Sequence, residues 1–443
     1  MSWDTIITFM RVSSLSGSAM ALAFLQSPTS AKAEEEPILS LSTDSAFHFE
    51  VLVSLGEALY GGSDLAPVLG AAKNITPGDF ESFSQAFQQL AYKTKDQAQD
   101  EEANYDPVNV GETWFSAATY FRRADFYLHN NWTNPLINTL WDEQTKAFDK
   151  GLSSLPIPGK RLQIPADNFT VEAIWYEPIP HLYKNQTSKR PTLILGNGYD
   201  GAQEDLYHTV VVAALARGWN CLTYEGPGHP TVRRKQNLGF IPDWERVVTP
   251  LVDYLLKDRS NVVDKDKLAL FGFSFGGYLA ARAAAFEPRI SAVVLDGGVW
   301  DSFEAFSPNL SPELKELFDA GNKEAFDEAG RGLLDNPLVP SQARWGLAQG
   351  MWAFNTQSPF NFLQATKKYA VKDFITQIKV PVFVADAESE GFFSGQPQMV
   401  KDALGDLATL YTFKGAEGYH CQAGAFSSLN RVMFGWLNKV LPK

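Results

Sequence analysis

The sequence predicts an α/β fold: a mostly parallel sheet covered by helices on both faces, with a helical domain ahead of it and a small helical cap inserted into it. Three observations carry this expectation. The hydrophobic period changes from helical to extended near residue 160, and beyond that point short β-branched runs alternate with helical stretches. An aromatic, proline-interrupted, helix-like segment then falls between two of the later runs. At 443 residues, 45% hydrophobic and 20% charged, the chain can bury a large core and has the composition of a folded globular protein.

Residues 1–40 read as a signal-like or disordered tail. Arg11 precedes a short apolar stretch at 18–25, and Ala31, Lys32 and Ala33 come before the acidic Glu34, Glu35 and Glu36. Asp4 in the charged start and the small side chains of the apolar stretch make a poor export signal, so a cytoplasmic protein is expected, with secretion as the alternative. Residues 41–160 form the helical domain. Phe47, Val51, Leu52, Leu55 and Leu59 repeat at helical spacing, Pro77, Gly78 and Asp79 punctuate, and further helices fit 80–92, 113–129 and 135–150. Pro156 and Pro158-Gly159 end the block.

Residues 161–443 form the α/β core. Strands are expected at 169–176, 192–195, 220–224, 267–271, 292–295 and 380–385, with helices at 204–217, 243–257 and 276–286. The cap insertion spans about 300–366, over the sheet edge where open α/β sheets bind ligands. Its aromatics, Trp300, Phe303, Phe306, Trp345, Trp352, Phe354, Phe360 and Phe362, either receive a bulky apolar small molecule or form the cap's own core. A net charge of −13 argues against nucleic acid and anionic lipid as partners, and no run of 18 apolar residues suggests a membrane helix. The two cysteines, Cys221 and Cys421, make neither a disulfide framework nor a cysteine metal site.

The chemistry is concentrated in Gly272, Phe273, Ser274, Phe275 and Gly276, a Gly-x-Ser-x-Gly string between an expected strand and an expected helix. A sharp strand-to-helix turn leaves no room for side chains at the flanking positions, and it presents the serine at a helix N-terminus, where a developing anion is favoured. This is the nucleophile elbow of the α/β-hydrolase fold, which orders its triad as Ser, acid, His along the chain. Of six histidines, His48, His129, His181, His208 and His229 precede Ser274, so His420 is the expected base. The acid belongs in the loop after the strand at 380–385, where three carboxylates compete. Glu390 is the first choice, with Glu388 and Asp386 as alternatives. The expected oxyanion hole pairs the N–H of Phe275 with that of Tyr199, while the side chains of Tyr199 and Asp200 could instead shape the pocket.

The loop holding Tyr199 also spells Gly-x-Gly-x-x-Gly over 196–201, with Glu225 closing the next strand. Taken literally this is a dinucleotide fingerprint, so an NAD(P)-dependent oxidoreductase is the rival class. The elbow, with a histidine after it, favours the serine hydrolase, for which a general carboxylesterase is the plainest version.

Several motifs together resemble a known family. They are Phe47-His-Phe-Glu50, Tyr60-Gly-Gly-Ser-Asp64, Phe121-Arg-Arg-Ala-Asp-Phe126, Gly198-Tyr-Asp-Gly201, Tyr224-Glu-Gly-Pro-Gly228, the elbow, Phe392-Phe-Ser-Gly-Gln396 and Gly418-Tyr-His-Cys421. Over about residues 44–440 the chain resembles fungal α/β-hydrolases of polyketide pathways, including the fusarin- and cytochalasan-type biosynthetic hydrolases, which are related to 2,6-dihydropseudooxynicotine hydrolases. The resemblance implies a homodimer, a helical N-terminal domain closing over the site, no cofactor and no metal. It also implies action on a carbonyl of a polyketide-type intermediate, by ester or C–C hydrolysis or by ring-closing condensation. Two departures stand out: His229-Pro230 replaces the family's usual Gln-Gly, and Ser389-Glu390 stands where the family's acid loop carries Asp. The first alters substrate fit, with His229 a loop residue rather than a second base. The second leaves the acid open.

Overall fold

The computed structural model describes residues 37–100, 102, 106–179 and 189–441. The signal-like stretch and His181 lie outside the described residues. Among the described residues five α-helices precede the sheet: α1 Ser45–Glu57, α2 Leu65–Ala72, α3 Phe80–Gln99, α4 Pro107–Asp125 and α5 Leu136–Ser154. Three start at an aspartate that accepts the free N–H groups of the first turn. Asp44 takes those of Ala46 and Phe47, Asp79 those of Glu81 and Ser82, and Asp106 those of Val108 and Asn109. Asp106 with Pro107 behind it starts α4 six residues before the apolar pattern does. Similarly, α3 runs two turns past residue 92: Lys93, Lys95 and Gln97 are good helix formers, and the small Thr94 and Ala98 carry on the buried face with little apolar signal.

Eight strands form one sheet in the order β1-β2-β4-β3-β5-β6-β7-β8. β1 (Lys160–Pro165) and β2 (Thr170–Tyr176) are an antiparallel pair, and β2 runs antiparallel to β4 (Asn220–Glu225). From β4 onward, through β3 (Arg190–Gly196), β5 (Val263–Phe273), β6 (Ala292–Asp296), β7 (Val382–Ala387) and β8 (Ala408–Phe413), neighbours are parallel. The two strands absent from the sequence expectation, β1 and β8, are the sheet's edges. Their side chains mix exposed, half-buried and a few buried positions, so they lack the continuous apolar run that marks the inner strands. The helix expected at 204–217 is a π turn, Tyr207–Val211, followed by a single α turn, Val212–Leu215.

The pleat divides the core. Leu193, Leu195, Ala269 and Phe271 face α1–α5 and the last helix, Phe426–Val440, in one buried cluster. Ile194, Leu268 and Leu270 face the helices Glu245–Asp258 and Gly276–Phe286 in another. Between β6 and β7 lie five short helices, from Phe303–Phe306 to Pro359–Thr366, with a small core of Leu314, Phe318, Phe326 and Leu363. This insertion is tied to the N-terminal helices by Ser341 Oγ donating to Asp44 (2.5 Å), by Arg344 donating to Gly78 O (2.6 Å) and by Gln349 at 2.5 Å from His129 Nδ1. Together the two regions roof the C-terminal edge of the parallel strands.

Candidate active site

β5 ends in the elbow. Ser274 takes φ 58°, a left-handed geometry that costs a side-chain-bearing residue about 1–2 kcal/mol, and its N–H donates to Asp296 O at 2.6 Å. A Cβ on Gly272 would lie 2.0 Å from Gly276 O, and one on Gly276 would lie 2.7 Å from Asn197 O. The turn closes only because both positions lack side chains. The helix Gly276–Phe286 follows at once, as the motif requires.

His420 lies on the loop after β8, where Cys421 (φ 50°) and Gln422 (φ 51°) turn the chain toward the elbow. Its Nε2 is 2.8 Å from Ser274 Oγ and its Nδ1 is 2.7 Å from Glu390 Oε2. Glu390 Oε1 accepts the N–H groups of Phe392 (2.8 Å) and Phe393 (3.1 Å). The other two carboxylates of the loop are engaged elsewhere: Glu388 accepts Gly415 N–H (2.7 Å), and Asp386 accepts the Thr412 hydroxyl (3.0 Å) across β7 and β8. Ser389 N–H donates to Gly418 O (2.8 Å), so the two loops are stitched together one residue before Glu390, which turns that side chain toward the imidazole.

Burial alone would lift Glu390 and depress His420. Their mutual attraction and hydrogen bond reverse both: Glu390 is held below the usual glutamate value and His420 above the usual histidine value. A third carboxyl, which the sequence reading did not single out, sits nearby. Asp296, at the end of β6, is fully buried and pushed up to about 7, by burial first and by Glu390 further, against the pull of His420. Neither of its side-chain oxygens has a hydrogen-bond partner among the described residues, although the Gln422 amide lies close enough to favour ionisation slightly.

The β3 loop supplies the facing wall. A Cβ on Gly198 would lie 2.9 Å from Ser274 Cβ and 3.0 Å from Phe275 N, so this backbone touches the elbow. The N–H groups of Phe275 and Tyr199 have no acceptor among the described residues. The loop is held by Asn197, which accepts Gly198 N–H (2.8 Å) and donates to Ala202 O (2.8 Å). His229 braces it from below: burial lowers its ring to about 4, so it is neutral, accepting Gly226 N–H (3.3 Å) and reaching Asn197 O (3.1 Å). The Glu225 oxygens are taken by the N–H groups of Gln203 (3.0 Å) and Thr231 (2.5 Å). The glycines of 196–201 therefore serve contact with the elbow, and the acid of the literal dinucleotide fingerprint is spent on backbone.

Ser274 and His420 open into a cavity of about 530 Å³. The cap aromatics divide. Phe306, Trp345, Phe354 and Phe362 line the cavity; Phe303 and Phe360 pack in the cap's own core; Trp352 stacks on His129 at 4.2 Å. The N-terminal helices contribute Phe49, whose ring is 6.4 Å from that of His420, together with Glu50, Glu57 and Arg123. Only the motif positions hinted that residues so far from the elbow in sequence share its cavity.

A family model described as the alpha/beta hydrolase family matches residues 193–420, from β3 to the histidine opposite the elbow. The chain belongs to this family. Beyond that segment it is similar to fungal hydrolases over nearly its whole length. It is 31% identical to the hydrolase LUC6 of Fusarium sp over 406 residues, covering 89% of this chain and 96% of that one. It is 30% identical to the 20-hydroxy-prefusarin hydrolase FUS2 of Gibberella moniliformis, covering 88% and 96%. Among solved structures, a 2,6-dihydroxy-pseudo-oxynicotine hydrolase superposes with a TM-score of 0.67 at 18% identity, covering 87% of this chain and 95% of that one. The chain thus shares the fold of that structure over most of both chains. No helix among the described residues is long and apolar enough to cross a membrane.

Proposed function

We propose that the protein is a serine hydrolase in which Ser274 Oγ attacks a carbonyl carbon. His420 takes the hydroxyl proton and later returns it to the leaving group; Glu390 holds the imidazole with its proton on Nδ1; and the N–H groups of Phe275 and Tyr199 receive the oxyanion. The observation that carries this reading is the unbroken chain from Ser274 through His420 to Glu390, at 2.8 and 2.7 Å, on the wall of a largely apolar cavity. The substrate is a bulky polyketide-type carbonyl compound of a fungal secondary pathway, in keeping with the name of the prefusarin hydrolase relative and with the aromatic cap. The bond attacked is an ester or a C–C bond. Ring-closing condensation uses the same oxyanion site, which stabilises an enolate as it does a tetrahedral intermediate.

A fluorophosphonate probe should label the protein, and Ser274→Ala should abolish labelling. Labelling that survives the substitution overturns the assignment of the nucleophile. The homodimer implied by the resemblance is checked on the same preparations by light scattering.

A further inference from the structure

The cavity wall has two characters. The cap side is apolar, built by Phe306, Phe354, Phe362 and Leu363. The side built by α1, α4 and the β3 loop carries carboxyls. Glu50 gives one oxygen to Arg123 (2.7 Å), which also holds Glu57 (3.0 Å). Asp200 is different. Arg122 clamps its backbone carbonyl at 2.7 Å and reaches Asp205 at 3.4 Å, so the residue is fixed in place, yet its carboxyl has no hydrogen bond or ion pair among the described residues. It lines the same cavity as Ser274 and His420, one residue beyond the Tyr199 N–H. Asp200 is half-buried and its side chain borders the cavity, so its carboxyl, unused by the protein, is open to whatever fills that space.

Resting on the reading of Ser274 as nucleophile, we propose that Asp200, with Glu50 beside it, forms a substrate subsite for a neutral hydrogen-bond donor. That donor, a hydroxyl or an amide N–H, is carried by the same molecule whose apolar part lies along the cap. Neutral donors fit better than amines. Burial raises both carboxyls, Glu50 to about 8, and the guanidinium groups of Arg122 and Arg123 act on both, so an ammonium group would enter a neighbourhood that already holds two cations. A carboxyl oxygen accepts from a hydroxyl or an amide N–H in either protonation state, and an ether has no proton to give it. A buried group built to pair discriminates strongly against an analogue that leaves it unpaired.

The test compares p-nitrophenyl 3-hydroxyhexanoate and 6-hydroxyhexanoate with their methoxy counterparts, for wild type, Asp200→Asn and Asp200→Leu. In wild type the hydroxy ester of at least one pair should be preferred in kcat/KM. Asp200→Leu should cut that preference at least tenfold, and Asp200→Asn, which keeps an acceptor oxygen, should cut it less. The same ratio is read from protection of Ser274 against the fluorophosphonate probe by the corresponding hydroxy and methoxy amides, so slow turnover does not hide the result. No preference in wild type by either readout, or a preference unchanged in Asp200→Leu, overturns the subsite. Failure of the nucleophile reading looks different: turnover would persist in Ser274→Ala whatever stands at 200.

Discussion

Replacing Glu390 by glutamine tests the site most sharply, because the amide cannot satisfy what the carboxylate does. In the wild type one oxygen faces His420 Nδ1 at 2.7 Å while the other accepts two backbone N–H groups, from Phe392 and Phe393. Glutamine has one acceptor oxygen. Turned toward His420, its NH₂ group confronts two N–H donors, orphaning both at about 1–3 kcal/mol each. Turned the other way, it keeps those two bonds but points NH₂ at Nδ1. The second arrangement prevails, and it selects the tautomer with the proton on Nε2, which cannot take one from Ser274. Turnover should fall by about 10³–10⁴, equivalent to roughly 4–5.5 kcal/mol of barrier. His420 works as a base only when neutral, so wild-type kcat/KM should fall as pH drops through an inflection above 6.5. Because the largest influence raising His420 is Glu390, that inflection should move down in the variant. The assay is kcat/KM for a p-nitrophenyl ester between pH 5 and 9, with thermal melts to show that each variant is folded. Glu388→Gln, which weakens only the bond from Gly415 N–H, should cost far less. A Glu390 variant within fivefold of wild type, or a Glu388 variant equally damaged, refutes the reasoning.

Two further outcomes follow from groups around the triad. Asp296 is pushed up to about 7 in the fold from near 4 in the unfolded chain, so its own contribution to stability should decline between those values, by on the order of 4 kcal/mol in all. Asp296→Asn removes this decline: urea melts should show the variant gaining on wild type from pH 4 to pH 8, and a difference independent of pH would disprove the account. Gly198→Ala should lower kcat by about 10–100-fold with little change in KM, since its Cβ would press on Phe273 O at 2.7 Å and on Ser274 Cβ, moving the Tyr199 N–H off the oxyanion position. Steady-state kinetics on the same ester decides it, and an unchanged kcat would remove the β3 loop from the oxyanion site.

The elbow was legible because its requirements are local: two glycines, a serine, a strand before and a helix after. The inner strands were legible for a related reason, since a strand buried on both faces must be continuously apolar. β1 and β8 escaped notice because edge strands are half solvated, and the helix after β3 was expected as an ordinary α-helix because its π turn is a difference in backbone hydrogen bonding that a short buried stretch does not record.

What the sequence determined by itself was the fold class, the family, the serine in its elbow, and a single histidine downstream of it. These follow from chain order and from short-range sterics, which are written in consecutive residues. Which of three carboxylates faces His420 was decided by the tertiary structure, through the Ser389–Gly418 hydrogen bond that aligns two loops from different strands. The same holds for the protonation of Asp296 and Glu50 and for the unpartnered carboxyl of Asp200. A carboxyl's charge depends on how much water and which charges surround it. Here that surrounding is assembled from α1, α4, the β3 loop and β6, segments up to hundreds of residues apart that meet only once the chain has folded.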